Sequence, residues 1–359
     1  MKKIRPDIII IAALTAISAL LHILFIASTS FADFFNNTIA RFFRFLLAKI
    51  ADIFPFSIAE ILLFLVPVFV IILIVHINKK GGSVLSRIAS ASKLILCVAL
   101  GIYILFVATF ASGYSCSGLE KRLGISKENV STTELYETLV YVTDKVNVAA
   151  KYIDFEDDGS SELPYDNDEL SSIICRSYED VFSSYKIGES FSSRVKPLNI
   201  SPVMTYTHIS GVYSFFTGEA NLNTNYPDYV CAFSAAHELA HQRGIARENE
   251  ANFMAYLVCI ESDNEYLQYA GYLSMFSYLS SALRSADYEL YAKAVSPLCK
   301  EARGELNAYS IFFDKYRDST ASKVSDAVND TYLKVQGTEG VKSYGMVVDL
   351  AVAYHRNDT

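Results

Sequence analysis

The residues best suited to chemistry lie in one short segment two thirds of the way along the chain. His237 and His241 are four positions apart, and Glu238 directly follows the first histidine. On an α-helix, residues four apart lie on the same face, so both imidazoles could bind one metal ion. In HExxH sites the glutamate acts as general base on a zinc-activated water. The motif therefore predicts Zn²⁺ bound by His237 and His241, with Glu238 as the catalytic residue.

The sequence around this motif favours a helix. Residues 231–243 contain neither Gly nor Pro and are rich in alanine. Gly244 follows directly and suits the left-handed position at which many helices end. We therefore expect the motif helix to end near Gly244 and the chain to turn back there.

A catalytic zinc ion usually has three protein ligands and one open position. The pattern HExxHxxGxxH would place a third histidine at position 247, which is Arg247 here, so that subclass is excluded. Glu248 would open a second helix and is the preferred third ligand, with Glu250 as the alternative. Asn252 shares a helix face with Glu248 and could accept the second N–H of a ligand imidazole.

Polar residues just before the motif helix are candidates for contact with a substrate. A developing oxyanion needs hydrogen-bond donors, and an exposed strand edge can bind extended peptide. The segment that would supply both is rich in β-branched and aromatic residues. Its candidates are Tyr206, His208, Tyr213 and Glu219. The alternative for each of them is an ordinary surface residue of a turn or strand.

The N-terminal third of the chain is expected to lie in a membrane. Three apolar segments, at about 8–27, 57–77 and 94–112, approach the roughly 20 residues that a helix needs to cross a bilayer. We therefore divide the chain into a membrane domain at 1–113 and a second domain at 114–359. Between the first two segments, an amphipathic helix at about 39–54 would lie in the membrane interface or pack against the spans.

The distribution of charge predicts the orientation. Lys and Arg are more frequent before the first span and between the second and third than in the first loop. The positive-inside rule then places the N-terminus in the cytoplasm and the second domain outside, in a multi-pass protein of the cell membrane. Residues 1–113 carry a net charge of +6, so the rest of the chain carries −14. An acidic domain of this kind argues against binding to nucleic acid.

The second domain is predicted to be mainly helical. Ser131 and Glu134 form the pattern of a capping box, and Ser262 and Glu265 form another. Residues 195–230 are the exception, because Gly and Pro are spread there among strand-forming residues. The six cysteines include no CxxC pair, which excludes a zinc knuckle and leaves room for one or two disulfides.

The segment from 248 to 252 also carries a resemblance. Glu248-x-x-Ala251-Asn252 is similar to the ExxAD or ExxAN element of gluzincin-type peptidases, whose first glutamate is the third zinc ligand. Together with FFTGEANLN at 215–223 and three N-terminal spans, the chain resembles an uncharacterised bacterial family of membrane zincins, domain-of-unknown-function family 3810. The resemblance implies a zincin-like metallopeptidase fold and supplies no substrate.

These observations predict a membrane-anchored zinc metallopeptidase that hydrolyses peptide bonds. Its partners would be the lipid bilayer and a peptide or protein substrate whose identity the sequence does not reveal. The alternative is a catalytically silent zinc-binding sensor or scaffold protein of the cell envelope. Glu238 separates the two hypotheses, because an enzyme needs a base at this position and a scaffold does not.

Overall fold

The computed structural model describes residues 6–79, 83–126, 129–337 and 346–356. It divides into two compact units. The first comprises Met1–Cys116 together with Ser214–Glu219, and the second comprises Ser117–Tyr213 and Ala220–Thr359. The short segment 214–219 thus belongs with the first unit, although it is far from the rest of that unit in sequence.

The first unit is helical. It consists of α1 (Pro6–Ala27), α2 (Thr29–Phe35), a π-helical turn (Asn36–Ala40), α3 (Arg41–Ala51), α4 (Ile58–Lys79), α5 (Val84–Thr109) and a 3₁₀ turn (Ala111–Ser115). Within the described part of the chain, three helices are long and apolar enough to cross a membrane, at Ile9–Ala27, Ile58–Lys79 and Val84–Thr109. The three predicted spans are thus present as helices. The third begins ten residues before the apolar run, because Ser83 caps it by accepting a hydrogen bond from the backbone of Ser86.

Helix α3 takes the place of the predicted amphipathic helix. Its small and basic face is buried and includes Arg44, while large apolar residues such as Phe42 and Ile50 are exposed. The Arg44 guanidinium donates to the Thr109 carbonyl at 2.8 Å and to the Asn36 side-chain oxygen at 3.0 Å. These partners replace the water that a buried cation loses. One face of this helix therefore packs against its neighbours, and the other is apolar and exposed. These two faces fit both predicted alternatives, packing against the spans and lying in the membrane interface.

The second unit is built from eleven helices and a small sheet within the described residues. The helices are α6 (Leu119–Leu123), α7 (Thr132–Ala149), α8 (Asn167–Tyr185), α9 (Ser201–Met204), α10 (Asp228–Gln242), α11 (Glu248–Ile260), α12 (Glu265–Ala286), α13 (Tyr288–Val295), α14 (Lys300–Asp314), α15 (Thr320–Val335) and α16 (Val347–His355), the short α9 being a single turn. Helix α12 packs against α7, α10 and α11 and forms the centre of the core. The fold is mainly α, as predicted.

The sheet lies where strands were expected. It consists of β1 (Val195–Pro197), β2 (Gly211–Ser214) and β3 (Glu219–Leu222) in the order β1-β3-β2. Strands β1 and β3 are parallel, with Val195 paired to Ala220 and Pro197 to Leu222. Strand β2 lies at the edge and is joined to β3 by the four residues between them.

Helix caps explain where several helices begin. The capping box of Ser131 and Glu134 is confirmed at the start of α7. The capping box predicted for Ser262 and Glu265 is wrong, because Asn264 caps α12 by accepting from the backbone of Leu267. Asparagine lies directly before the first helical residue, whereas Ser262 instead accepts from the Asn264 N–H in the preceding turn. The six cysteines, all in described parts of the chain, are free thiols, so the disulfides that the sequence left open are not formed.

A close contact between α11 and α12 gives a first prediction. A Cβ atom at Gly271 would lie 2.6 Å from the Cβ of Cys259. We expect Gly271→Ala to force the two helices apart and to lower the free energy of unfolding by about 1–3 kcal/mol. Chemical denaturation of the full chain would measure this change.

The control for this prediction is Gly304→Ala in α14. There the new Cβ would lie 3.5 Å from Gly159, which is an ordinary contact. Because alanine favours helix over glycine, this variant should keep or raise the stability by up to about 1 kcal/mol. Equal effects of the two substitutions would contradict the packing argument.

Candidate metal centre

The turn between α10 and α11 brings the predicted site residues together. Gly244 has a φ of 91°, and its N–H donates to the His241 carbonyl at 2.9 Å. The next N–H, of Ile245, reaches back to the Ala240 carbonyl at 3.1 Å. This pair of hydrogen bonds is a Schellman motif, which needs a left-handed residue and therefore favours glycine. The chain reverses at Gly244 as predicted, and α11 begins at Glu248.

Three side chains converge across this turn. The Glu248 Oε2 atom lies 3.3 Å from Nε2 of His237 and 3.5 Å from Nε2 of His241. One potential ligand atom from each residue lies within 4.8 Å of the other two. Among the described residues, this is the one group of three or more His, Cys, Asp or Glu side chains that could hold a metal ion. Two imidazole nitrogens and a carboxylate oxygen form a donor set that suits zinc.

A backbone carbonyl fixes the orientation of one imidazole. Nδ1 of His241 lies 2.8 Å from the carbonyl oxygen of Ile245. Since a carbonyl only accepts, Nδ1 must carry the proton, and Nε2 is left for a metal. Metal-binding histidines commonly have such a partner on the second nitrogen. The same turn that reverses the chain therefore also orients His241.

The carboxylate and the imidazoles alter each other's ionisation. Burial alone would disfavour the charged form of His241, but the nearby Glu248 carboxylate outweighs it and raises the pKa of His241 to about 9. Burial likewise opposes ionisation of Glu248, yet the two histidines hold the pKa of this carboxyl well below its usual range. His241 and Glu248 thus attract each other as an ion pair, and a metal ion at Nε2 of His241 would have to displace the proton there.

Glu238 is held separately, against strand β2. Its side chain is buried and accepts a hydrogen bond from the backbone N–H of Tyr213. Burial raises the pKa of Glu238, although the two histidines lower it. Gly211 leaves room for the side chain, since a Cβ there would lie 2.6 Å from Cγ and 2.7 Å from Oε1 of Glu238. Oε2 is buried and has no hydrogen-bond partner among the described residues, which leaves it able to accept a proton.

The alternative ligand, Glu250, points to other partners. Its Oε1 lies 2.6 Å from Nη1 of Arg247 and accepts from the N–H of Leu119 at 3.2 Å. The second bond caps the start of α6, a common task for a carboxylate at a helix N-terminus. Glu250 therefore lies outside the group of side chains that could hold a metal ion, whereas Glu248 belongs to that group.

Asn252, which was expected to accept a hydrogen bond from a ligand histidine, is buried in α11. The second ring nitrogen of His241 donates to the Ile245 carbonyl instead. Nδ2 of Asn252 and Nδ1 of His237 are both buried without a hydrogen-bond partner in the described ranges. A role for Asn252 in orienting His237 stays a prediction.

The four candidates for substrate contact have different surroundings. The Tyr206 ring packs on Tyr316 at 4.9 Å, and Nε2 of His208 donates to the Tyr316 carbonyl at 2.8 Å. Both oxygens of Glu219 accept backbone N–H groups at the start of α4, at 2.8 Å each. These contacts account for all three side chains without a substrate. Tyr213 differs, because its backbone N–H reaches Glu238.

Three further groups at the site were not identified from the sequence. The Ile245 carbonyl gives no sequence signal, because any residue has one. Gly211 does give a signal, since an isolated glycine in a strand often marks a close approach. Tyr278 lies on α12, which packs against both α10 and α11. Burial raises the pKa of Tyr278 to about 12, with the nearby Glu248 charge adding to it, so this hydroxyl keeps its proton at neutral pH.

Comparison with known proteins gives one family. No curated protein and no solved structure matches the chain. One family profile does match, over residues 32–352, and this range includes the site and most of the chain. The chain therefore belongs to the family described as protein of unknown function DUF3810.

Proposed function

We propose that this protein is a membrane-anchored, zinc-dependent metallopeptidase. The observation that carries the proposal is the convergence of His237, His241 and Glu248 beside the buried carboxylate of Glu238. Three ligands leave a coordination position open, which is the arrangement of catalytic rather than structural zinc sites. A structural site would instead be closed by four protein ligands.

The residues of the chain have distinct tasks in this proposal. His237, His241 and Glu248 would hold Zn²⁺, which supplies a Lewis acid that activates water and polarises a peptide carbonyl. Glu238 accepts the proton of the attacking water and passes it to the leaving amine. Burial supports this task because it raises the pKa of Glu238. A higher pKa helps the same carboxyl group first to accept a proton from water and then to donate it.

The membrane helices add a location to the proposed activity. The three apolar helices support anchoring in a bilayer. The excess of Lys and Arg in the N-terminus and second loop supports a cytoplasmic N-terminus. With three spans, the second unit and its site would then lie outside the cell membrane, where they would meet peptides or proteins of the cell envelope.

The first test is Glu238→Gln in the full chain, purified in detergent. We expect bound zinc to stay near one ion per chain, because glutamine preserves the size of the side chain and is not a ligand. Hydrolysis of a pool of unstructured fluorescent peptides should fall by a factor of 10² or more, in line with the loss of a general base. Zinc in both proteins without hydrolysis in either would favour the silent sensor or scaffold. Equal hydrolysis by both would contradict the role of Glu238.

The second test concerns the third ligand. We expect Glu248→Ala to weaken zinc binding by more than about 100-fold, the upper end of what a lost supporting hydrogen bond costs. Titration against a competing chelator would measure the affinity. Glu250→Ala is the matched control, since it removes the contacts with Arg247 and Leu119 and leaves the metal-binding group intact. A larger effect of Glu250→Ala would overturn the assignment.

The third test concerns the placement of Glu238. In Gly211→Ala the new methyl group would collide with Glu238 and move its carboxylate, while the zinc ligands keep their places. We expect zinc content to be unchanged and kcat to fall on the order of 10²-fold, as for a displacement of about 1 Å. Val212→Ala on the same strand is the control, because the Val212 side chain is 45% exposed. A drop in both variants would point to the strand rather than to the carboxylate.

A further inference from the structure

The segment Ser214–Glu219 belongs to the first unit and contacts its helices at several points. It consists of the last residue of β2, the four connecting residues and the first residue of β3, and will be called the hairpin tip. The Phe215 ring lies 5.4 Å from the Phe106 ring, edge to face. The Phe215 carbonyl accepts from the Thr109 hydroxyl at 3.3 Å. Both partners belong to α5, so the tip is attached to the third apolar helix.

Gly218 attaches the tip to a second helix. Its φ is 75°, a conformation that glycine adopts without strain. A Cβ at this position would lie 2.6 Å from Cβ of Leu47 and 2.9 Å from the backbone nitrogen of Ala48. The tip therefore approaches the backbone of α3 more closely than any other residue type would allow.

Glu219 attaches the tip to the start of α4. The first N–H groups of a helix have no partner within the helix. Oε1 of Glu219 accepts from Ile58 and Oε2 accepts from Ala59, both at 2.8 Å. The Ser57 hydroxyl accepts the next N–H, of Glu60, at 3.0 Å. A buried carboxylate 160 residues away in sequence thus completes the cap of the second apolar helix, and the helix dipole stabilises its charge.

The other end of the hairpin holds Glu238. Gly211 and the N–H of Tyr213, both in β2, contact the Glu238 side chain. Tyr213 is bonded directly to Ser214, the first residue of the tip. One peptide bond therefore separates the segment attached to the apolar helices from the residue that positions Glu238.

We infer that Glu219 is a positioning residue for the proposed catalytic base, acting through the hairpin. By capping α4 it holds the tip, the tip fixes the register and direction of β2, and β2 holds the Glu238 carboxylate. The placement of Glu238 then depends on the N-terminal end of the second apolar helix. The inference rests on the proposed function for its catalytic consequence, but its structural part can be tested without catalysis.

The experiment compares three variants of the full chain in detergent. Glu219→Ala removes both acceptor oxygens, and Glu219→Gln keeps the size of the side chain but loses the charge and one acceptor. Ser57→Ala is the matched control, because it removes the acceptor of another N–H at the same helix end and leaves both Glu219 oxygens in place. The first readout is hydrogen exchange of backbone amides in peptides covering residues 211–222. The second is zinc content together with kcat and KM on the fluorescent peptide pool.

We expect amides of the hairpin to exchange at least about tenfold faster in Glu219→Ala than in the wild type. In Glu219→Gln the exchange rate should lie between these two. Exchange in Ser57→Ala should match the wild type across this segment. Zinc content and KM should be unchanged in all three variants. The value of kcat should fall about tenfold or more in Glu219→Ala and stay at the wild-type level in Ser57→Ala.

Two results would overturn the inference. In the first, the hairpin amides of both Glu219 variants exchange at the wild-type rate. In the second, Ser57→Ala changes exchange and kcat as much as Glu219→Ala does, which would mean that Glu219 acts only as a helix cap. If Glu219→Ala exchanges fast throughout the chain because it does not fold, Glu219→Gln decides between the outcomes. If the wild type binds zinc but hydrolyses nothing, the proposed activity fails, while faster exchange confined to the hairpin would still support the positioning role.

Discussion

The candidate metal centre depends on a carboxylate that is largely shielded from water beside two imidazoles. An isolated charge in such a place would be costly, and it persists because opposite charge lies within 3.5 Å. The pKa of His241 is raised and that of Glu248 is lowered as two aspects of the same attraction. A divalent cation would take the position of the displaced proton and strengthen the same grouping. The packing of α12 on both site helices keeps these charges at a fixed distance.

Glu238 and the three side chains of the candidate metal centre are held by different parts of the chain. The convergence of His237, His241 and Glu248 depends on the turn at Gly244, where the Schellman hydrogen bonds set the direction of α11 and the Ile245 carbonyl orients His241. Glu238 depends instead on the edge strand β2, through the Tyr213 N–H and the space at Gly211. The candidate metal centre and the placement of Glu238 can therefore change independently, and this separation is what allows substitutions to test the proposed metal binding and the proposed base one at a time.

The sequence was most informative where the physics is local. The spacing of His237 and His241, the glycine after the helix and the position of Glu248 all follow from the geometry of one helix–turn–helix segment. The cap of α12 was predicted at the wrong residue because Ser262 and Asn264 both suit the role, and only the backbone path distinguishes them. The contact of Glu219 with α4 could not be predicted, because it joins residues 160 positions apart through backbone atoms that carry no sequence signal. The same reason applies to the Ile245 carbonyl.

The buried Arg44 has a consequence for the order in which the first unit can assemble. Its guanidinium donates to the side-chain and backbone oxygens of Asn36, which precedes α3, and to the carbonyl of Thr109, the last residue of α5. During synthesis α3 is made well before that residue emerges. Until then Asn36 can accept from the guanidinium, but water must take the place of the Thr109 oxygen. The set of acceptors around this buried cation is therefore complete only after the third apolar helix has been made.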